Sequence, residues 1–277
     1  MAQSPAVSVI IPAHNEAETI VPCLKALLAS KGELEAQVLV VANGCSDDTV
    51  AQAQRLAGEH EERGWSLEVH NLTEGGKTGA LNAGDAATLG PVRVYLDADV
   101  VVSPPLLAQL IDALSIDAPA YGSGTLHLAP PKTATTRAYA RIYAQVPFMT
   151  TGVQGAGLFA VNAAGRARWD DWPEIISDDI YARLMFATSE RHKVAADYYW
   201  PLVEGWDALV RVRRRQDLGV QEIAARFPEL LGNDDKPPFP KADQLKLALR
   251  DPCGFAVYAG VALATKLRRS TAWERGR

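Results

Sequence analysis

Residues 92–102 read Val-Arg-Val-Tyr-Leu-Asp-Ala-Asp-Val-Val-Val, an apolar, β-branched run broken by two carboxylates one residue apart, Asp97 and Asp99. Such a run predicts a strand buried on both faces, the kind a parallel sheet needs. Burying two acids at its end is unfavourable unless something there neutralises them. Two readings are open from these residues alone. Either the acids stand on the strand and meet a ligand, or the strand stops at Leu96 and they lie in a solvated turn.

The preceding residues supply three more strands. Residues 7–11 predict the first, and Asn15 with Glu18 three positions on reads as an N-cap. In the helix so opened, Ile20, Leu24, Leu27 and Leu28 face the sheet, and Pro22 implies a kink or a later start. Residues 37–42 predict the second strand, after which Ser46 reads as the cap of a helix carrying Val50, Ala53 and Leu56. Residues 65–71 alternate as a third strand, and Glu74-Gly75-Gly76-Lys77 leads into a small-residue helix over 78–89. The order predicts an α/β fold, a doubly wound, mostly parallel sheet of Rossmann-like type with right-handed crossovers. Ligands of such sheets bind beyond the carboxyl ends of the strands. The polar loops 12–16, 43–48, 75–77 and 97–99 all fall at that rim.

The second half is less regular. It predicts helices over 106–114, 135–146, 180–188 and 205–216, strands over 120–128 and 194–199, and a Gly-spaced turn plus strand over 152–162. Arg137, Tyr139, Arg141 and Tyr143 lie on the second of these helices, and Trp169-Asp170-Asp171-Trp172-Pro173 reads as an exposed aromatic loop. Residues 232–240 hold too many prolines and aspartates for regular structure and read as a loop or linker.

Composition narrows the function. A net charge of −5 over 277 residues offers no basic face for nucleic acid. Cys23, Cys45 and Cys253 are odd in number and far apart, which fits a reducing compartment and argues against disulfides or zinc. No signal peptide is expected at the N-terminus. The apolar stretch 253–265 is shorter than the ~20 residues a membrane span requires. Basic residues cluster at Arg211, Arg213, Arg214 and Arg215, and again at Lys266, Arg268, Arg269, Arg275 and Arg277.

A dinucleotide-binding turn is absent after the first strand, where Pro-Ala-His-Asn-Glu stands. Gly75-Gly76-Lys77-Thr78 ends like a phosphate-binding loop but lacks its first glycine. Paired carboxylates suit Mg²⁺ or Mn²⁺, ions that bridge one or two acids to a diphosphate and stabilise it as a leaving group. On an extended strand Asp97 and Asp99 point the same way, and Lys77 adds a positive charge at the same rim.

The segments Val-Ser-Val-Ile-Ile-Pro-Ala-His-Asn-Glu at 7–16, Val-Ala-Asn-Gly-Cys-Ser-Asp-Asp-Thr at 41–49 and Gly-Lys-Thr-Gly-Ala-Leu-Asn-Ala-Gly at 76–84 resemble family 2 glycosyltransferases, as Asp97-Ala98-Asp99 resembles that family's DxD element. The resemblance implies a GT-A fold, a nucleotide-sugar donor, Mn²⁺ or Mg²⁺ and inversion at the anomeric carbon. By that likeness Pro12, Ala13, Glu16, Asn43, Lys77, Asn82, Asp97, Ala98 and Asp99 bind the donor, with Asp99 and Asp97 on the metal. The general base of such enzymes opens a helix after a Gly-rich strand, which points to Asp179 or its neighbour Asp178. Gly155, Trp169 and Trp172 are the acceptor-side candidates, a saccharide or lipid-linked acceptor being expected. His127 is a further candidate ligand, although a strand histidine needs no such role. Asn43 stands where many members carry Asp, so a UDP-sugar is suggested without being fixed. Arg211–Gln216 lacks the Gln-x-x-Arg-Trp element of processive synthases, which favours addition of a single sugar.

The expected organisation is a transferase domain over 1–231, its donor half at 1–103 and its acceptor half at 104–231, then the 232–240 loop and a helical, basic extension over 241–277. The small residues Ala256, Gly260 and Ala264 permit close helix packing or contact with a membrane. A cytoplasmic protein, peripheral at the membrane, is therefore the expectation. The competing function is a non-catalytic nucleotide-sugar-binding or assembly subunit with the same fold.

Overall fold

The structure is a computed structural model, and residues 5–267 are described. Arg268, Arg269, Arg275 and Arg277 of the basic tail lie outside them. Eight strands build one sheet: β1 (Val7–Ala13), β2 (Ala36–Asn43), β3 (Ser66–Leu72), β4 (Val92–Leu96), β5 (Val101–Val102), β6 (Tyr121–Leu128), β7 (Leu158–Asn162) and β8 (Arg191–Trp200). Their order is β3-β2-β1-β4-β7-β6-β8-β5. The first four of that order run parallel, β7 is antiparallel to both β4 and β6, β8 is parallel to β6, and β5 closes the edge antiparallel to β8.

Every residue of β1 and β2 is buried, because helices cover both faces. The pleat divides β1 between them. Val7, Val9 and Ile11 enter one core, and Ile10 enters the other with Leu39 and Leu81. On the first face lies α1 (Ile20–Leu28), which buries Ile20, Cys23, Leu24 and Leu27. Each such side chain contributes about 1.5–3 kcal/mol of burial. Helices α2 (Thr49–Gln54) and α3 (Ala57–Glu62) link β2 to β3, and α4 (Lys77–Ala87) crosses the opposite face to β4.

In the second half, α5 (Leu106–Leu114) packs on β6 and β8, and α6 (Ala134–Tyr143), α7 (Pro147–Thr150) and α8 (Ala163–Arg166) precede α9 (Asp178–Leu184). The long α10 (Trp206–Arg226) and α12 (Pro252–Leu267) pack on each other and on α6, with α11 (Lys241–Arg250) beside α12. Tyr139 and Tyr143 face this helical core, and Arg141 pairs with Asp251 at 2.6 Å, so α6 is an ordinary amphipathic helix.

Four local expectations are corrected. Helix α1 begins at Ile20, not Asn15, whose backbone is left-handed at φ 57° and whose side chain accepts from the Ser46 N–H at 2.8 Å. Pro22 thereby falls in the first turn, where it is tolerated. Ser46 caps nothing; α2 begins at Thr49, whose N–H donates to Asp47 at 3.0 Å. The central run stops at Leu96: the Asp97 N–H still pairs with Gly157 O at 2.9 Å, and the chain then turns before β5, the Val100 N–H donating to Asp97 O at 3.1 Å. The 205–216 helix extends to Arg226.

The irregular stretch after Asn233 is pinned. Arg183, 2% exposed, donates to Asp234 at 2.7 Å and to Asp235 at 2.5 Å, and Arg191 donates to Asp235 at 2.9 Å. Gly84 sets the seat of α4, since a Cβ there would overlap Cγ2 of the buried Ile10. Gly84→Ala should therefore lower stability by about 1–3 kcal/mol. Urea denaturation checks this, and an unchanged midpoint would refute the close approach.

Candidate active site

Three loops meet at the carboxyl end of the parallel strands, and Asn43 buckles them together. It is 3% exposed. Its amide nitrogen donates to Ala13 O at 2.9 Å and its side-chain oxygen accepts from the Gly76 N–H at 3.0 Å. His14 Nδ1 donates to Asn43 O at 2.6 Å. A Cβ on Gly44, at φ +62°, would lie 2.9 Å from the Gly75 nitrogen, so this approach requires glycine. Pro12 and Ala13 are buried at the end of β1. Glu16 receives its neighbour's hydroxyl, Thr19 Oγ1, at 2.6 Å, and its backbone N–H donates to Thr49 at 2.7 Å.

With Gly76 so held, Lys77 opens α4 and reaches across the rim. Its ammonium lies 2.8 Å from Asp97 and 3.0 Å from Asp178. Burial alone would lower the lysine's pKa; Asp178 and Asp97 outweigh it and hold the ammonium above the ordinary lysine range. Asp178 is 5% exposed, and its carboxyl is pushed up by burial, opposed by Lys77 and reinforced by Asp179 and Asp97. Asp179 is half-buried, and its Oδ1 accepts from the Ile180 N–H at 2.8 Å.

Asp97 and Asp99 are half-buried in the turn and Ala98 is buried, so strand alternation is not what brings the two acids together. They share one flank with Glu16: all three raise the pKa of the buried Cys23 thiol, after burial itself. Among the described residues, no three His, Cys, Asp or Glu stand close enough to share a metal ion. His127 pairs with Asp197 at 2.8 Å.

Beneath the rim lies a residue that local pattern missed. Asp85 accepts from Arg93 and Tyr95 at 2.7 Å each, and from Arg166 and Trp172 Nε1 at 2.8 Å each. The available signal was its place four residues after Leu81 on a helix whose buried stripe is Ala80, Leu81 and Gly84. Trp169 and Trp172, expected in an exposed loop, are 6% and 3% exposed and pack against Tyr181. Their faces are spent in the core, so neither can stack on a sugar here. Asn82 exchanges bonds with the Trp172 backbone, accepting at 2.7 Å and donating at 3.4 Å. Like Asn43, it is occupied in holding loops. Gly155 lies under Tyr121, at φ +75°, where a Cβ would overlap the phenol oxygen.

Comparison with known proteins identifies the family and the fold. Residues 8–168, more than half of the chain, match the family described as Glycosyl transferase family 2. The glycosyltransferase AglD of Haloferax volcanii is 33% identical over 113 residues, covering 38% of this chain and 17% of that protein. An undecaprenyl-phosphate 4-deoxy-4-formamido-L-arabinose transferase of Sodalis glossinidius is 30% identical over 114 residues, covering 40% and 34%. The chain thus spans well under half the length of these relatives. Among solved structures, the mannosyltransferase PcManGT of Pyrobaculum calidifontis, in complex with GDP-Man and Mn²⁺, superposes with a TM-score of 0.60 at 20% identity, over 97% of this chain and 77% of that one. Glucosyl-3-phosphoglycerate synthase of Mycobacterium tuberculosis, with Mn²⁺ and UDP-glucose, gives 0.55 at 17% identity, over 80% and 79%. The fold is that of GT-A glycosyltransferases.

Removing Asp85 strands two arginines against a buried tryptophan. Asp85→Ala should destabilise the protein by about 3–5 kcal/mol. Chemical denaturation tests this, and a loss below about 1 kcal/mol would mean that water takes over the network.

Proposed function

The chain belongs to glycosyltransferase family 2, and on that premise we propose that it moves one sugar from a nucleotide-sugar donor to a hydroxyl of a saccharide or lipid-linked acceptor, with inversion. A UDP-sugar is the donor to test first. The observation that carries this reading is the Lys77 bridge, because it joins the end of β4 to the start of α9. The two places where the family needs its donor grip and its base are thereby one site.

The donor set fits a divalent ion. Two hard carboxylates in a half-buried turn, with a cation already drawn to one of them, form an incomplete shell of the kind that substrate phosphates finish. Asp97 and Asp99 would hold Mg²⁺ or Mn²⁺ there. The ion would supply positive charge to the departing diphosphate.

The protein's own groups account for the remainder. Lys77 brings a second positive charge to the leaving group from the first residue of α4. Asp178 is buried and engaged by Lys77, so its part is to aim that ammonium. Asp179 is the accessible member of the pair and takes the proton from the acceptor hydroxyl. That oxygen bonds to the anomeric carbon as the bond to the nucleoside diphosphate breaks on the opposite face.

We place the protein in the cytoplasm, peripheral at a membrane. No helix among the described residues is long and apolar enough to cross one. Leu245 and Leu249 on α11, and Leu263 and Leu267 on α12, are nevertheless exposed, beside Lys246, Arg250 and Lys266. Leucines flanked by cations suit an anionic lipid surface.

Two experiments follow. Asp99→Ala should lose at least ~10²-fold in transfer together with metal-dependent donor binding, whereas Asp179→Asn should keep donor binding and lose roughly 10²–10⁴-fold in kcat. Undiminished transfer by either variant overturns its assignment, and a wild-type chain that binds donors but never turns one over is a binding subunit. Replacing the four exposed leucines with serine should abolish flotation with anionic liposomes. Equal recovery of both proteins ends the membrane reading.

A further inference from the structure

Lys77 bonds to an acid that a metal ion would also need. Its ammonium lies 2.8 Å from Asp97 and 3.0 Å from Asp178, and Asp97 is one of the two carboxylates read above as metal ligands. An ion on Asp97 would stand close to that ammonium, and like charges at short range repel strongly. Lys77 and the ion therefore contend for one carboxylate.

The two bonds of Lys77 are not equivalent. The Asp97 side chain is 33% exposed, in the turn after β4, so water can take the place of the ammonium there. The Asp178 side chain is 7% exposed, at the first residue of α9, and a carboxylate so placed resists losing its cation. The backbone is held too. Asn43 keeps the Gly76 N–H at 3.0 Å, so Lys77 is free to move through its flexible four-carbon stem while the start of α4 stays in place. An ammonium has three N–H donors, of which the two carboxylates engage two. The third lets a phosphate oxygen bind Lys77 before the Asp97 bond is released. An ion arriving alone offers the displaced ammonium no partner, whereas a diphosphate offers it charge-assisted hydrogen bonds.

We propose that Lys77 gates the metal position: it covers Asp97 until a nucleoside diphosphate engages it, then pivots on Asp178 and yields Asp97 to the ion. The inference rests on the transferase reading above and deepens it, from which groups bind to the order in which they bind. Diphosphate and metal enter together, and a divalent ion alone is turned away.

The test titrates Mn²⁺ into wild type, Lys77→Met and Lys77→Arg, following free Mn²⁺ by electron paramagnetic resonance. Each titration is run without nucleotide and with saturating UDP, GDP, CDP or ADP, the Mn²⁺ held by nucleotide in solution being subtracted. In wild type the nucleotide should tighten Mn²⁺ binding at least about ten-fold, and by linkage Mn²⁺ tightens the nucleotide by the same factor. Lys77→Met should bind Mn²⁺ alone at least about ten-fold tighter than wild type, and no tighter than wild type once nucleotide is present. Lys77→Arg keeps the cation and should keep the wild-type pattern. A gain in Lys77→Met that is equal with and without nucleotide reflects only the field of the lost charge and overturns the gate, as does no gain. Equal Mn²⁺ affinity of wild type in the two states overturns it as well. A wild type that binds none of the four diphosphates, with or without Mn²⁺, overturns the transferase reading instead.

A second readout needs no neutral variant. In wild type labelled with ¹³C at its lysines, the Lys77 side-chain resonance is identified by its absence from Lys77→Arg. That resonance should shift with UDP and Mg²⁺ together and stay in place with Mg²⁺ alone. A shift with Mg²⁺ alone, or none with both, overturns the proposal.

Discussion

The contact on which the site depends is one ammonium between two carboxylates. Lys77 cannot reach Asp97 and Asp178 together unless α4 starts where it does, and α4 starts there because Asn43 holds the Gly76 N–H. Asn43 in turn is placed by β1 and β2, which are buried along their whole length. The hierarchy therefore runs from a two-sided core, through an amide engaged by backbone groups, to an ammonium held between two carboxylates. Three acids press on that single charge. The site keeps an appetite for further cations, which a diphosphate-bound metal would satisfy without rebuilding the rim.

Much of this was legible in the chain. Strands buried on both faces announce themselves as continuous β-branched runs, so the parallel half and the rim that it creates follow from residues 7–96 alone. The four motif segments supplied the family likeness in the right order. What escaped was decided by partners far away in sequence. The Asp97 N–H pairs once more across to Gly157 O before the chain turns away from the sheet, and Asn15 leaves the helix because Ser46 draws its side chain. Trp169 and Trp172 read as exposed until Asp85 and Tyr181 are brought beneath them by the fold. Asn43 and Asn82 resemble ligand-binding amides in the motif, yet both are turned inward to backbone groups. Local pattern reports what a side chain can bond to, and the fold determines which partner it finds.

Charge is wholly or partly withdrawn from water at three seams: Asp85 with Arg93 and Arg166, Asp234 and Asp235 with Arg183 and Arg191, and Lys77 with Asp97 and Asp178. Each joins segments of the chain that are well separated in sequence. Buried pairs add little net stability over apolar contacts of the same size, but breaking one leaves an unpaired charge. They fix how loops register against the sheet more than how firmly it holds, and that is the accuracy a transfer site requires.

The double anchor at Asp234 and Asp235 has a consequence for how such a chain can diversify. The peptide between Asp235 and α11 has both ends fixed by elements outside it, one by buried guanidiniums and the other by a helix. Phe239 packs on the main core, so of the intervening residues it is 236–238 that can be exchanged while the anchors carry the fold. Variation there would recut one wall of a cleft of about 470 Å³ that this stretch shares with Pro147, Thr150, Lys246 and Arg250, leaving the sheet and the rim in place. A catalytic frame and an interchangeable lining would then evolve on separate clocks.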